Sequence, residues 1–166
     1  MNDPASPARL LADTYAAIAR TRMEGVALLN PALAVEAVDF ELWSHHWLGV
    51  LVTPWFMNLV ILPRETERWH SVRVGDTVHY AFPAGIFGFI AAHEAPVGEL
   101  HACSLFSPMF EFADQETARV AAQAARAGLF EAANREVLQP EETPRPAGAP
   151  MSKREFLHLP DHEPRG

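Results

Sequence analysis

Between Val38 and Phe106 the chain runs as a series of short apolar stretches, and Pro54, Pro63, Pro83, Pro96 and Pro108 all fall near their ends. Proline lacks a backbone N–H, so a sheet tolerates it at strand ends and edges and hardly elsewhere. This punctuation restricts the middle of the chain to short strands joined by tight turns. Val38, Phe40 and Leu42 alternate with Asp39 and Glu41, the period-two pattern of a half-buried strand. Further runs cover Trp47–Thr53, Trp55–Leu62, Thr77–Phe82, Ile86–Ala92 and Glu99–Phe106. Residues 64–76 are polar and read as a loop that Trp69 and Val72 are placed to pin. The uncharged stretch Leu42–Pro63 is long enough to raise a membrane span. It is interrupted by His45, His46, Gly49, Pro54 and Asn58, and its halves are β-branched and aromatic, so it reads as two strands.

A helix is predicted on each side of this series. Ser6-Pro7 pairs an N-cap hydroxyl with a proline at the first helical position, Leu11, Tyr15 and Ile18 recur at helical spacing, and Gly25 marks a stop. Asp114 caps an alanine-rich helix expected over roughly 115–137. Strands in succession, bracketed by helices, predict an α+β fold: a mainly antiparallel sheet of about six strands, packed on one face against an N-terminal and a C-terminal helix. The folded domain is expected to span 1–138. Residues 139–166 hold six of the fourteen prolines and are expected to form a flexible tail.

Charge narrows the function. Thirteen Lys and Arg against twenty-one Asp and Glu give a net charge of −8, which disfavours nucleic-acid binding. A single cysteine, Cys103, excludes an internal disulfide framework or a Cys-rich cluster. Residues 1–9 lack the pattern of a secretory signal, so a cytoplasmic protein without membrane insertion is expected. Residues 34–118 carry eleven acids and only three bases (Arg64, Arg68, Arg73), together with 13 of the 16 aromatics. An acidic and aromatic middle suits a solvated face over an aromatic core. It also suits a surface for a partner that is cationic at one end and apolar beyond.

Catalytic and metal chemistry find little support. Cys103 has no cysteine partner at metal-binding spacing. His79, His93 and His101 lie on three successive strands where they could meet, but no HExxH pattern is present. Ser104 and Ser107 sit in no nucleophile elbow, and Gly85-Ile86-Phe87-Gly88 is not a phosphate loop. No enzyme, cofactor or resident metal is therefore expected. Two segments instead concentrate large apolar residues: Thr53-Pro54-Trp55-Phe56-Met57-Asn58, and Cys103 through Phe110. Such clusters at strand ends serve either as core or as a groove for variable apolar peptides.

These segments, with Val38–Pro63, Gly75-Asp76 and Phe82-Pro83-Ala84-Gly85, resemble the HybE/HupJ family of nickel–iron hydrogenase assembly chaperones. The similarity is read from about Ala8 to Leu138. Some relatives carry a fused rubredoxin, whose four iron ligands one cysteine cannot supply. The resemblance implies a non-catalytic cytoplasmic chaperone for uptake hydrogenase. Its clients would be the small-subunit precursor, through its twin-arginine signal peptide, and in second place the large subunit. Asp39, Glu41, Glu94 and Glu99 are the candidates for meeting the arginines. Trp43, Trp47, Trp55, Phe56, Met57, Phe106, Met109 and Phe110 are the candidates for the apolar run. Two other readings remain open: a metal-handling maturation factor using Cys103 and histidines, and an adaptor that docks the hydrogenase subunits.

One motif stands apart. A twin-arginine signal has the pattern S-R-R-x-F-L, and Ser152-Lys153-Arg154-Glu155-Phe156-Leu157 is a near match that contains the chain's only lysine. It is expected to act as a pseudo-signal folding back on the client groove.

Overall fold

The computed structural model describes residues 6–134. Within them lie α1 (Pro7–Arg20), β1 (Glu36–Trp43), β2 (His46–Val52), β3 (Met57–Pro63), β4 (Thr77–Phe82), β5 (Gly85–Glu94), β6 (Gly98–Phe106) and α2 (Gln115–Gly128). The expected α+β fold is present, as one antiparallel sheet in the order β1-β2-β3-β6-β5-β4, so β1 and β4 are its edges. Both predicted caps form: the Ser6 hydroxyl accepts from the Arg9 N–H at 3.1 Å, and the Asp114 carboxylate accepts from the Thr117 N–H at 2.8 Å.

The helices do not share a face. Leu11, Tyr15 and Ile18 of α1 pack with Phe40, Leu51, Val60, Leu62 and Leu100, whereas Ala118, Ala121, Ala122 and Ala125 of α2 pack with Val38, Leu48, Val50, Leu59 and Ile61. Leu48, Val50 and Val52 thus face α2 while Leu51 faces α1. A central strand apolar on both faces needs a cover on each side, and one helix goes to each. The small side chains of α2 let it approach closely. The sheet also curls around α2, because Trp43 of β1 stacks on Phe82 of β4, the opposite edge, with ring centroids 4.4 Å apart.

Two boundaries and the regularity of one strand differ from expectation. Helix α2 ends at Gly128, well short of residue 137, because Leu129 turns into the core and its carbonyl accepts from the Ala84 N–H at 2.9 Å. Strand β3 begins at Met57, since Trp55 and Phe56 belong to a turn built on Thr53, whose hydroxyl accepts from both of their N–H groups at 3.1 and 2.9 Å. The alternation in β1 breaks at Asp39, which has φ 53°. One extra residue is inserted between Val38 and Glu41. This bulge sends Val38 to the α2 side and Phe40 to the α1 side, and leaves Leu42 exposed. Phe40 lies over Gly49, where any Cβ would overlap its ring.

The polar loop 64–76 is pinned to the sheet as predicted. Trp69 stacks on His101 at 4.1 Å, and the Val72 N–H donates to Glu99 at 3.1 Å. No helix among the described residues is long and apolar enough to cross a membrane. Residues 135–166, including the expected boundary at Leu138, the proline-rich tail and the Ser152–Leu157 motif, lie outside the described residues.

Candidate functional site

A groove of about 570 Å³ runs between α1 and the outer edge of β1. Ala8, Ala12, Val35, Ala37 and Phe40 make its apolar floor, and Asp13, Glu36, Asp39 and Glu41 supply carboxylates against a single base, Arg9. Two of the four acids are already committed. Asp13 pairs with Arg9 at 3.4 Å, and Glu36 accepts from Arg119 at 2.7 Å and Gln115 at 2.9 Å. Burial works to raise the Glu36 carboxyl, but these two hydrogen bonds hold it below the usual range. Asp39 and Glu41 are exposed and make no ion pair among the described residues. The bulge at Asp39 is what brings both to the rim.

The Glu36 end of β1 lies at the end of the sheet where the two aromatic-rich segments meet, because Glu36 pairs with Val52, Val52 with Met57 and Met57 with Phe106. Asn30, buried, ties them together: its N–H donates to the Pro54 carbonyl, and its side-chain amide donates to the carbonyls of Met109 and Phe112, each at 2.9 Å. Met57 pairs with Phe106 across the β3–β6 ladder. Trp55 and Phe56 are half-buried on the α1 side, where Phe56 packs edge-on against Tyr15 at 5.8 Å. Phe110 and Leu28, on the two neighbouring loops, are 55% and 52% exposed. Neither Asn30 nor Thr53 stands out as a functional residue in the sequence. Both act through backbone partners distant in sequence or hidden in a turn, so no motif announces them.

The other candidates are placed elsewhere. Met57 and Met109 are fully buried and Phe106 nearly so, packed in the core against α2; they are core side chains and not presented to a client. Trp43 closes the curl of the sheet against Tyr80 and Phe82. Trp47 lies on the α1 side, with the Arg64 guanidinium 6.0 Å from its ring centre. Glu94 pairs with Arg22 at 2.8 Å.

Glu99 is the largest departure from expectation. It accepts from the Ser71 hydroxyl at 2.6 Å, from the Val72 N–H at 3.1 Å and from His101 Nε2 at 3.0 Å. Burial alone would raise its carboxyl, yet these hydrogen bonds hold it at about 2. Burial keeps His101 neutral against the pull of Glu99, and burial pushes Tyr80 up to about 12. A neutral His101 that donates from Nε2 accepts the Tyr80 hydroxyl at Nδ1, 2.7 Å away. Glu99 is thus the anchor of a closed Tyr–His–Glu chain that fastens loop 64–76, and it is not available to a client arginine. The three histidines do not converge: His79 lies beside Gly88 on the α1 face, opposite to His101, and His93 is exposed at the strand end. Cys103 packs against the α2-side core.

The family model for the NiFe-hydrogenase assembly chaperone HybE matches residues 6–159. The match therefore reaches well beyond Leu138 and spans the Ser152–Leu157 motif. The hydrogenase expression/formation protein HupJ of Bradyrhizobium diazoefficiens is 39% identical over 158 residues, covering 95% of this chain and 90% of that protein. The probable rubredoxin HupJ of Rhodobacter capsulatus is 38% identical over 145 residues, covering 81% of this chain and 52% of that protein, so this chain spans about half its length. The solution structure of HybE from Escherichia coli superposes with a TM-score of 0.61 at 24% identity, covering 89% of this chain and 91% of that one, and shares the fold. With the family model matched over residues 6–159 and a relative 39% identical over most of both chains, this chain belongs to the HybE family of NiFe-hydrogenase assembly chaperones.

Proposed function

We propose that this protein is a cytoplasmic chaperone that holds the small-subunit precursor of an uptake hydrogenase by its twin-arginine signal peptide, in the groove between α1 and β1. The observation that carries the reading is the order of chemistry along that groove. The two uncommitted carboxylates, Asp39 and Glu41, sit at one end, the apolar residues Ala37 and Val35 follow, and Trp55, Phe56, Leu28 and Phe110 lie beyond. A twin-arginine signal has the same order, an arginine pair and then an apolar run.

The edge position of β1 supplies the backbone for capture by strand addition, in which main-chain hydrogen bonds give affinity and side-chain pockets give selectivity. A peptide with its arginines at Asp39 and Glu41 and its apolar run toward Val35 lies antiparallel to β1. The distance from Glu41 to Glu36, about 17 Å at 3.4 Å per residue, holds about five peptide residues. The large subunit is a second client on this reading, reached through the bound precursor.

The test is a pull-down with this chain as bait, offered small-subunit precursor with and without its signal peptide. Retention of the full precursor and loss of the truncated one is the expected result. Equal retention of both would overturn the signal-peptide reading and move the contact to the mature subunit. Metal analysis of the same preparation separates the chaperone from a metal-handling factor, since stoichiometric nickel or iron would favour the latter.

A further inference from the structure

We propose that residues 152–157 of this same chain, Ser-Lys-Arg-Glu-Phe-Leu, dock on the α1–β1 groove as an internal competitor for the client peptide. The inference rests on the reading of that groove as a peptide site and goes beyond it by naming a second, built-in occupant.

Three observations support it. The first is charge and order. Lys153 and Arg154 precede Phe156 and Leu157, and in the antiparallel sense Glu41 and Asp39 precede Ala37 and Val35 along the groove, so the order of charge and then apolar side chain is the same. The pair Asp39 and Glu41 lacks cationic partners among the described residues, while the other groove acids have theirs. The second is reach. Helix α2 begins beside the groove, where Gln115 and Arg119 hold Glu36, and it ends beside Ala84 and Phe82. Fourteen helical residues carry the chain about 21 Å from the groove. The 18 residues between Asn134 and Lys153 reach at most about 59–65 Å at full extension, so a gap of this size lies within the length of the chain. A tether long enough to span the gap gives an effective concentration of about millimolar order. The third is the family match, which runs through residue 159 and so takes in this segment along with the domain.

A short segment that binds with a dissociation constant also of about millimolar order covers the groove about half the time under this tethering. It shields the β1 edge between clients and yields to any peptide that binds more tightly. This removes the exposure of an unpaired edge strand to other chains, a hazard that edge strands otherwise manage with bulges and charge.

The experiment uses the full chain and its Lys153→Gln/Arg154→Gln variant, isotopically labelled, with a synthetic twin-arginine peptide as the client probe. Without peptide, the amide resonances of Ala12, Asp13, Asp39 and Glu41 are expected to differ between the two proteins, independently of protein concentration. The variant is expected to bind the peptide about twofold more tightly. Identical groove resonances in both proteins would overturn the proposal, as would differences confined to Ile86 and Ile90 on the uncovered half of the α1 face. Concentration-dependent differences would overturn it too, in favour of docking between copies. If the peptide binds neither protein, the signal-peptide reading of the groove fails, while the peptide-free comparison still decides whether the segment docks.

Discussion

Two regions of this molecule use the same ingredients, carboxylates among aromatic side chains, to opposite ends. On the α2 side, Glu99 is enclosed by Ser71, Val72 and His101, with Trp69 stacked on the imidazole and Tyr80 closing the chain. On the α1 side, Asp39 and Glu41 stand at the rim of a groove and make no ion pair among the described residues. The difference lies in backbone geometry. Glu99 is on β6, an inner strand, facing a loop that folds over it, whereas Asp39 and Glu41 are on an edge strand whose bulge turns them outward. A carboxylate surrounded by donors stabilises the fold. A carboxylate without them remains available to a ligand.

The sharpest way to break this contrast is at the boundary between core and surface. Met57→Ala is expected to cost about 2–5 kcal/mol of stability, as a fully buried side chain does, whereas Phe110→Ala is expected to change stability by less than about 0.5 kcal/mol. Urea melts of both variants check this, and a small loss for Met57→Ala would mean that the aromatic-rich end is looser than described.

Next in size is the Glu99 network. Glu99→Gln is expected to cost about 1.5–3 kcal/mol at neutral pH, the range for hydrogen bonds to a charged group. The sign with pH follows from the carboxyl held at about 2 against its ordinary 4.5. Between those values the unfolded chain binds more protons than the folded one. The contribution is therefore complete above about pH 4.5 and is lost as pH falls toward 2. Melts over pH 2–6 should slope more steeply for the wild type than for Glu99→Gln, in which Glu36 still supplies part of the slope.

A smaller effect is expected in the groove. Asp39→Asn with Glu41→Gln is expected to leave stability within about 0.5 kcal/mol but to weaken twin-arginine peptide binding about fivefold to tenfold, less so at high salt. Calorimetry at two salt concentrations measures it, and unchanged affinity would place the client elsewhere. Smallest is Asp39→Gly. Glycine accepts φ 53° without strain, so stability should hold or rise by a few tenths of a kcal/mol while peptide affinity falls. A loss of both would mean that Asp39 serves the fold and not the groove.

The fold was largely legible because its signals are local. Ser6-Pro7 and Asp114 announce helix starts, the prolines mark strand ends, and period-two runs give strand faces. The aromatic-rich segments could be read as core or groove, but Met57, Phe106 and Met109 could not be told from Trp55 and Phe110, because burial depends on which neighbours arrive. Glu99 was misjudged for the same reason. Its partners Ser71 and Val72 lie 28 and 27 residues away.

What the chain determines by itself is thus the set of elements, the antiparallel character that short turns imply, and the acidic, aromatic character of the middle. The tertiary structure alone decides the rest. One helix goes to each face because the central strands are apolar on both sides, and α2 stops at Gly128 because Leu129 is drawn into the core. The bulge at Asp39 turns a regular strand into a groove rim, and Asn30 joins two segments some fifty residues apart. The physical reason is common to all of these. Backbone propensity and hydrophobic period act over a few residues, whereas burial, hydrogen-bond satisfaction and free charge are set by contacts that exist only once distant parts of the chain have met.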